Sequence, residues 1–307
     1  MQGIQLENIF LPRNFTQRFW TIFSLVGLLI LSTDFSVTYK SVNEPLPLSV
    51  EVNYINVTDH DGIGDSILIR SSEGKVALID GGFPNSGACK YLESKNIDFI
   101  DLMVLSHPHD DHAGGLIEIM QKIPADKLVI NGQAIQSPIY DSFEDEVKET
   151  GYHPIVAKAG DTLPFGSFKF QVLSPPRINP KVQNDNSLVL RLAVGKVIFL
   201  FTGDITKLQE TWLIDNQAPL KSDILKIPHH GAADSALPAF ILQVHPAIAI
   251  YSAGTGNSYN FPEQFTLNTL KSVGAKIYGT NVNGTITVTT DGNTYTVKTN
   301  QGGPLNP

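Results

Sequence analysis

From Ser106 to Gly115 the chain reads Ser-His-Pro-His-Asp-Asp-His-Ala-Gly-Gly, so three of its eight histidines and two aspartates fall between His107 and His112. The segment before it, Ile100 to Leu105, is short and almost wholly apolar, the pattern of a buried strand. Leu116 to Ile123 then carry apolar residues at helical spacing. Side chains on the turn between a strand's end and a helix's start can all point at one place. Neutral imidazole nitrogens and carboxylate oxygens are the ligands that Zn²⁺ and similar divalent ions take. The cluster therefore predicts a metal site at the mouth of a buried strand.

A chain of 307 residues, 42% apolar and 17% charged, has material for a sizeable core, in one large domain or two small ones. Its formal net charge of −8 disfavours a sequence-independent grip on nucleic acid, which needs Lys and Arg against phosphate. Bound dications or a local basic patch would offset that charge. Cys89 is the single cysteine, so no internal disulfide and no thiolate metal or redox chemistry is expected. It reads as a small apolar residue on a helix.

Phe19 to Ser32 is an apolar run with Arg13 and Arg18 before it and Asp34 after it. A basic flank ahead of a short apolar segment is the plan of an export signal, and the run falls short of the roughly 20 residues of a membrane span. Residues 1–34 are read as an export signal or single membrane anchor, with cleavage left open, and residues 35–47 as a linker. This predicts an extracytoplasmic protein that meets a membrane through its N-terminal segment alone. The alternative, a buried helix, would leave the protein cytoplasmic.

From Leu48 the pattern is that of strands. Val50, Val52, Tyr54, Ile55 and Val57 nearly alternate, and Ser66–Arg70 and Lys75–Ile79 follow, the last ending in Asp80-Gly81-Gly82. The Gly-rich turn between the first two contains Asp59, His60 and Asp61, read as residues of a cleft rim. Helices are predicted over Ser86–Lys95, 113–122, Ser142–Thr150, 206–216 and Pro262–Ser272. Further strands or hairpins fall at Lys127–Ile130, 161–173, Leu188–Phe201, Ile224–Ile227, Ile248–Ser252, Lys276–Tyr278 and 284–298. That makes about a dozen strands in two sets with about five helices, closed by a flexible tail at 300–307. An apolar strand followed by an abrupt ligand-type turn occurs three times: at His107–His112, at Asp204 and at His229/His230. Strands that end in functional groups gather them along one sheet edge, so three such turns predict one shared site.

These pieces together resemble a metallo-β-lactamase-fold hydrolase of the branch typified by the C-terminal domain of the ComEC-type competence proteins. The likeness lies in Ile63-Gly64-Asp65-Ser66, Leu78-Ile79-Asp80-Gly81-Gly82, the His107–Gly115 signature, Asn184-Asp185-Asn186-Ser187-Leu188-Val189-Leu190, Phe201-Thr202-Gly203-Asp204 and Lys226-Ile227-Pro228-His229-His230-Gly231. They stand in the family's order and span a domain at 48–299. The resemblance implies an α/β fold, a four-layer αββα sandwich with its site at one edge of two sheets. It assigns His107 and His109 to one metal, Asp111 and His112 to a second, Asp204 as the bridge and His230 as the last ligand of the second metal. His229 then stands beside the cluster, as a phosphate-binding group or an acid. Asp80 is expected to hold a ligand histidine by hydrogen bond, or to stabilise its turn. Asp110 is left facing solvent or supporting the ligands.

Two departures from the family matter. The third histidine of the first metal has no counterpart, since the loop before Leu188 offers Gln183, Asn184, Asp185 and Asn186. Oxygen donors there leave the pair of divalent ions as Zn²⁺ or Mn²⁺. In the Tyr259-Asn260-Phe261-Pro262 loop, Asn260 and Phe261 replace the Gly and His of the branch. Arg191 and Lys226 are candidates for phosphate binding or for ordinary salt bridges, and His153 and His245 read as structural. The expected function is hydrolysis by water deprotonated on the two ions, with Asp111 and His229 as catalytic groups. Its substrate would be a small-molecule or nucleic-acid phosphodiester. A single apolar run forms no DNA channel, so transport is not carried over, and no stable protein partner is expected. The alternatives are a carbonyl-centred hydrolase acting on a lactam, lactone or thioester, and a catalytically weak binding module.

Overall fold

A computed structural model describes residues 48–57 and 62–305; the expected signal and linker, and the Asp59–His60–Asp61 cluster, lie outside them. No helix among the described residues is long and apolar enough to cross a membrane. Among the described residues, fifteen strands form two sheets. The first holds β1 (Val50–Tyr54), β2 (Ile67–Ser71), β3 (Val76–Ile79), β4 (Leu102–Val104), β5 (Leu128–Ile130) and β6 (Ile155–Val156). From the far end of the chain it also takes β14 (Ile286–Thr290) and β15 (Tyr295–Thr299). The second holds β7 (Thr162–Phe165), β8 (Phe168–Ser174), β9 (Val189–Val194), β10 (Val197–Phe201), β11 (Ile224–Lys226), β12 (Ile248–Tyr251) and β13 (Lys276–Gly279). Their orders are β15-β14-β1-β2-β3-β4-β5-β6 and β13-β12-β11-β10-β9-β8-β7.

The strands are apolar on both faces because each face has something to cover. Val52, Tyr54, Ile67, Ile69 and Val104 of the first sheet share one core with Leu190, Leu192, Phe199 and Phe201 of the second. Alternate residues point the other way, as strand geometry requires. Leu68, Leu78 and Met103 pack with Leu92, Leu116, Ile119 and Phe143, from α1 (Ala88–Ser94), α2 (Asp110–Lys122) and α3 (Pro138–Thr150). Val189, Leu200 and Leu225 pack with Leu213, Phe240, Ile241 and Leu270, from α4 (Lys207–Asp215), α5 (Pro238–Val244) and α6 (Gln264–Ser272). Helices outside and two sheets inside make the four layers expected. A single turn, α7 (Thr280–Asn283), brings the helices to seven among the described residues.

Within each sheet the run nearest the site is parallel: β3 with β4 and β4 with β5 in one, β10 with β11 and β11 with β12 in the other. Their carboxyl ends therefore face the same way, the end at which open α/β sheets bind ligands. The glycines of the histidine signature complete the arrangement. A Cβ on Gly115 would stand 1.9 Å from the Gly81 carbonyl oxygen, and one on Gly114 would stand 2.3 Å from Pro84. Side-chain-free residues let α2 settle onto the turn after β3, where the Gly81 N–H donates to the His112 carbonyl (2.8 Å) and the Gly115 N–H to that of Gly82 (2.8 Å).

Three boundaries differ from the sequence expectation. Helix α2 begins at Asp110 rather than 113, because His109 takes the extended N-cap conformation and two carboxylates favour the first turn. Helix α3 begins at Pro138 rather than Ser142. Ser137 caps it by accepting from the Ile139 and Tyr140 N–H groups, and proline suits a first turn. Residues 300–305 are held rather than loose: the Asn283 amide donates to the Gln301 and Gly303 carbonyls, and the Leu305 N–H to Ile277.

Candidate metal centre

Strand β4 delivers His107 and His109, and the first turn of α2 presents Asp111 and His112. Strand β10 ends in Thr202-Gly203-Asp204, and β11 runs into a tight turn, Pro228–Gly231, whose His229 and His230 both adopt positive φ. That turn aims the two rings in different directions. His107 Nε2 and His109 Nδ1 face each other at 3.1 Å. His230 Nε2 lies 3.1 Å from Asp111 Oδ2 and 3.2 Å from Asp204 Oδ2. His112 Nε2 lies 3.2 Å from the same Asp204 oxygen and 3.5 Å from Asp111 Oδ2. Asp204 Oδ2 also stands 4.0 Å from His107 Nε2, so one carboxylate oxygen touches both groups of donors.

These spacings suit a metal. Bonds of about 2.0–2.1 Å to nitrogen and oxygen around a tetrahedral ion put neighbouring donor atoms roughly 3.3 Å apart. Asp111, His112, Asp204 and His230 offer four such atoms within 4.8 Å of one another. The outward ring nitrogens are held in turn. His112 Nδ1 lies 2.9 Å from Asp80 Oδ2, and His230 Nδ1 lies 2.9 Å from the Ser252 carbonyl. Asp80 also accepts from the Ser106 N–H and hydroxyl, both at 2.7 Å, and that hydroxyl lies 3.1 Å from His107 Nδ1. One buried carboxylate thereby orients two rings, an arrangement that fixes tautomer and aim.

Charge inside the cluster is strongly biased. Burial would lower the pKa of His112, but Asp204, Asp111 and Asp80 outweigh it and raise it well above the ordinary histidine value. Burial opposes charge on His230 as well, yet Asp204 and Asp111 push it up to about 10. Burial would raise Asp204, but His230, His112 and Lys226 hold it well below the usual carboxylate range. His107 goes the other way: burial and the neighbouring His112 push it far down, so it stays a neutral donor. The inward face of the cluster draws positive charge to itself, as a dication site must.

The remaining sequence candidates separate clearly. Asp110 is turned from the cluster and accepts from Ser137 Oγ at 2.5 Å, tying α2 to the cap of α3. Asp185 accepts from the Thr206 N–H (2.7 Å) and the Gln209 N–H (3.3 Å), so it serves the start of α4 and leaves the ligand set. Asn186 is also structural, bonded to Gln133 and to the Asn179 carbonyl. Asn184 does face the site, with its Nδ2 3.1 Å from His229 Nε2 and its Oδ1 buried without a partner. Gln183 stands in the loop of the missing histidine and holds His109 from outside, Oε1 to Nε2 at 2.7 Å. His229 remains beside the cluster and pairs through Nδ1 with Asp234 at 2.8 Å. Arg191 donates to Gln171 Oε1 at 2.8 Å.

Lys226 is buried, 1% exposed, and its ammonium is enclosed by Asp65, by Asp204 Oδ1 at 3.4 Å and by the Gly203 carbonyl at 3.1 Å. It is a salt bridge and not a phosphate binder. The sequence reading assigns no role to Asp65, whose backbone is also tied to the site: its N–H donates to the Asp111 carbonyl (3.2 Å) and its carbonyl accepts from Gly82 (2.7 Å). A lone acid in a Gly-rich turn gives no sign in sequence of the lysine it will meet.

A doubly helix-covered pair of sheets with a histidine–aspartate cluster at its edge defines a metal-dependent hydrolase fold. The chain matches the model of the metallo-beta-lactamase superfamily over residues 60–255 and belongs to that superfamily. Its relatives include ComE operon protein 3 of Bacillus subtilis, 33% identical over 64% of this chain and 25% of that protein. Competence protein ComA of Neisseria gonorrhoeae is 29% identical over 91% of this chain and 36% of that one. The chain thus spans roughly a quarter to a third of the length of these relatives. Among solved structures, a diphosphatase from the PhnP family shares the fold with a TM-score of 0.50 at 13% identity, over 79% of this chain and 98% of that one. The metallo hydrolase Igni18 from Ignicoccus hospitalis shares it with a TM-score of 0.51 at 17% identity, over 78% and 98%.

Proposed function

We propose that this metal-dependent hydrolase cleaves phosphodiesters with two divalent ions, Zn²⁺ or Mn²⁺, held by His107, His109, Asp111, His112, Asp204 and His230. The observation that carries the reading is Asp204 Oδ2, within 3.2 Å of His112 and His230 and 4.0 Å of His107, one carboxylate oxygen that would be shared by the donors of both ions. Bound ions would supply a water of lowered pKa and would offset charge developing at the attacked phosphorus. The protein's own groups do the rest. Asp80, Gln183 and the Ser252 carbonyl keep the ligand rings aimed inward. His229, paired with Asp234, stands at the edge of the donor set, positioned to give a proton to the departing oxygen. Amide side chains in place of a third histidine support an oxygen-tolerant ion such as Mn²⁺. On the sequence of its first 34 residues, the reading extends to an enzyme working outside the cytoplasm.

The test is hydrolysis of bis(p-nitrophenyl) phosphate, plasmid DNA and nitrocefin, each with Zn²⁺ and with Mn²⁺. The first two should be cleaved and the third spared. Asp204→Ala should abolish turnover while the protein stays folded. Nitrocefin cleavage without phosphodiester cleavage would replace this reading with the carbonyl-centred one, and metal binding without any cleavage would leave a binding module.

A further inference from the structure

His229 takes its aim from Asp234, whose Oδ1 lies 2.8 Å from His229 Nδ1, leaving Nε2 turned to Asn184 at 3.1 Å. The Asp234 side chain is 59% exposed. Its carboxylate is therefore placed by the course of the 232–237 turn and not by packing around it.

That turn is tied down from α4. Glu210, wholly buried, accepts from two successive N–H groups, that of Ala236 through Oε1 and that of Leu237 through Oε2, both at 2.7 Å. Ala236 stands between those groups at a φ of 55°, a left-handed conformation that a residue with a Cβ adopts at a cost. A carboxylate that bridges the pair holds it there. Further bonds fix the same turn. Ser235 Oγ donates to the Pro228 carbonyl (3.1 Å), just before His229, and the Lys207 N–H donates to the Asp234 carbonyl (2.9 Å). Burial lifts the Glu210 pKa to about 7 in spite of its donors, with Asp185 adding to the rise and Lys207 opposing it. The ionised carboxyl is thus kept at a cost in stability, which points to a use other than stability.

We propose that Glu210 is a positioning residue for the reaction: by clamping the Ala236 and Leu237 N–H groups it sets the turn that carries Asp234, and through Asp234 it aims the His229 ring. The inference rests on the phosphodiesterase reading with His229 as proton donor. It adds the residue, remote from the ligand set, on which that donor's aim depends. The effect should be confined to reactions that need the proton. An alkoxide leaves phosphorus with a proton from His229, whereas p-nitrophenolate, a weakly basic anion, leaves without one.

The test compares a thymidine dinucleotide, which must expel an alkoxide, with bis(p-nitrophenyl) phosphate. Both are followed on Mn²⁺-loaded wild type, Glu210→Gln, His229→Ala and the double variant, at about pH 8.5, where Glu210 is ionised. Glu210→Gln keeps the size of the side chain and one acceptor but cannot serve both N–H groups. It should lower kcat on the dinucleotide about tenfold and leave that on bis(p-nitrophenyl) phosphate within about twofold. The ratio of the two rates does not depend on the amount of folded enzyme. In the His229→Ala background Glu210→Gln should add nothing. The ring ¹⁵N shifts of His229 in the Zn²⁺-loaded protein give a readout without turnover, and Glu210→Gln should move them toward those of Asp234→Ala. Unchanged or equal rates on the two esters, a further loss in the His229→Ala background, or ring shifts that stay at the wild-type values would overturn the positioning role and leave the phosphodiesterase reading standing. Where the wild type cleaves no dinucleotide, the ring shifts alone decide the role of Glu210; where it cleaves neither ester, the phosphodiesterase reading fails separately.

Discussion

Lys226 is the residue on which the site's rigidity turns. Its ammonium joins Asp65, before β2, to Asp204, after β10, and so links one sheet to the other beneath the donor cluster. Removing one partner of a buried ion pair leaves an uncompensated charge, a loss of about 3–5 kcal/mol. Lys226→Met should lower stability by that amount in urea denaturation, and adding Asp65→Asn should recover part of it. Asp80→Ala should weaken metal affinity by about 10–100-fold, read by competition with a chelating dye, because His112 and Ser106 would lose their common anchor. That these side chains would converge was legible in the sequence, because three apolar strands each end in a turn bearing histidine or aspartate. Their supports were less so. The pairing of Lys226 with Asp65 depends on two loops meeting across the fold, and nothing local marks it. Asp185 misleads for the same reason: an acid beside a ligand loop looks like a donor until a helix start is found claiming it.

The elements behind the site carry their own pH dependence. Glu210, on α4, is buried and accepts from the Ala236 and Leu237 N–H groups, both at 2.7 Å, which tie it to the start of α5. Burial raises its pKa from 4.5 to about 7, against the pull of those two donors. The folded protein thus keeps this proton to higher pH than the unfolded chain does. The stabilisation is complete below about pH 4.5 and is lost as pH rises to about 7, beyond which it is constant. The difference in stability between wild type and Glu210→Gln, followed by urea denaturation across that range, should fall by about 3 kcal/mol. Strands were the easier elements to read, because burial on both faces writes near-continuous apolar runs such as Val197–Phe201. Helix starts were harder, because capping decides them. Ser137 and Pro138 set the beginning of α3 four residues ahead of the place where its acidic pattern becomes plain.

At the scale of the molecule, every proposed ligand comes from a turn at one end of two sheets, and apart from β14 and β15, which return to the first sheet, the sheets come from successive parts of the chain. A ligand that binds the folded form alone stabilises it by mass action, by about 2.7 kcal/mol at a hundredfold excess over its Kd. Thermal denaturation should show Tm falling on treatment with a chelator and returning with Mn²⁺ or Zn²⁺, whereas Asp204→Ala should show little response. The two sets of strands were legible in the pattern, and the layered architecture followed from the family resemblance. The return of β14 beside β1, with Val50 opposite Thr290, was not, since antiparallel pairing across the whole chain leaves no mark in local pattern. The division between the sheets has one more consequence. A chain nicked in the 157–161 turn between β6 and β7 would yield two fragments, one bearing His107 to His112 and the other Asp204 and His230. Neither fragment could complete the donor set, so although β14 beside β1 and the core shared by the sheets would bring the fragments together, tight metal binding should need both, and added metal should strengthen their complex.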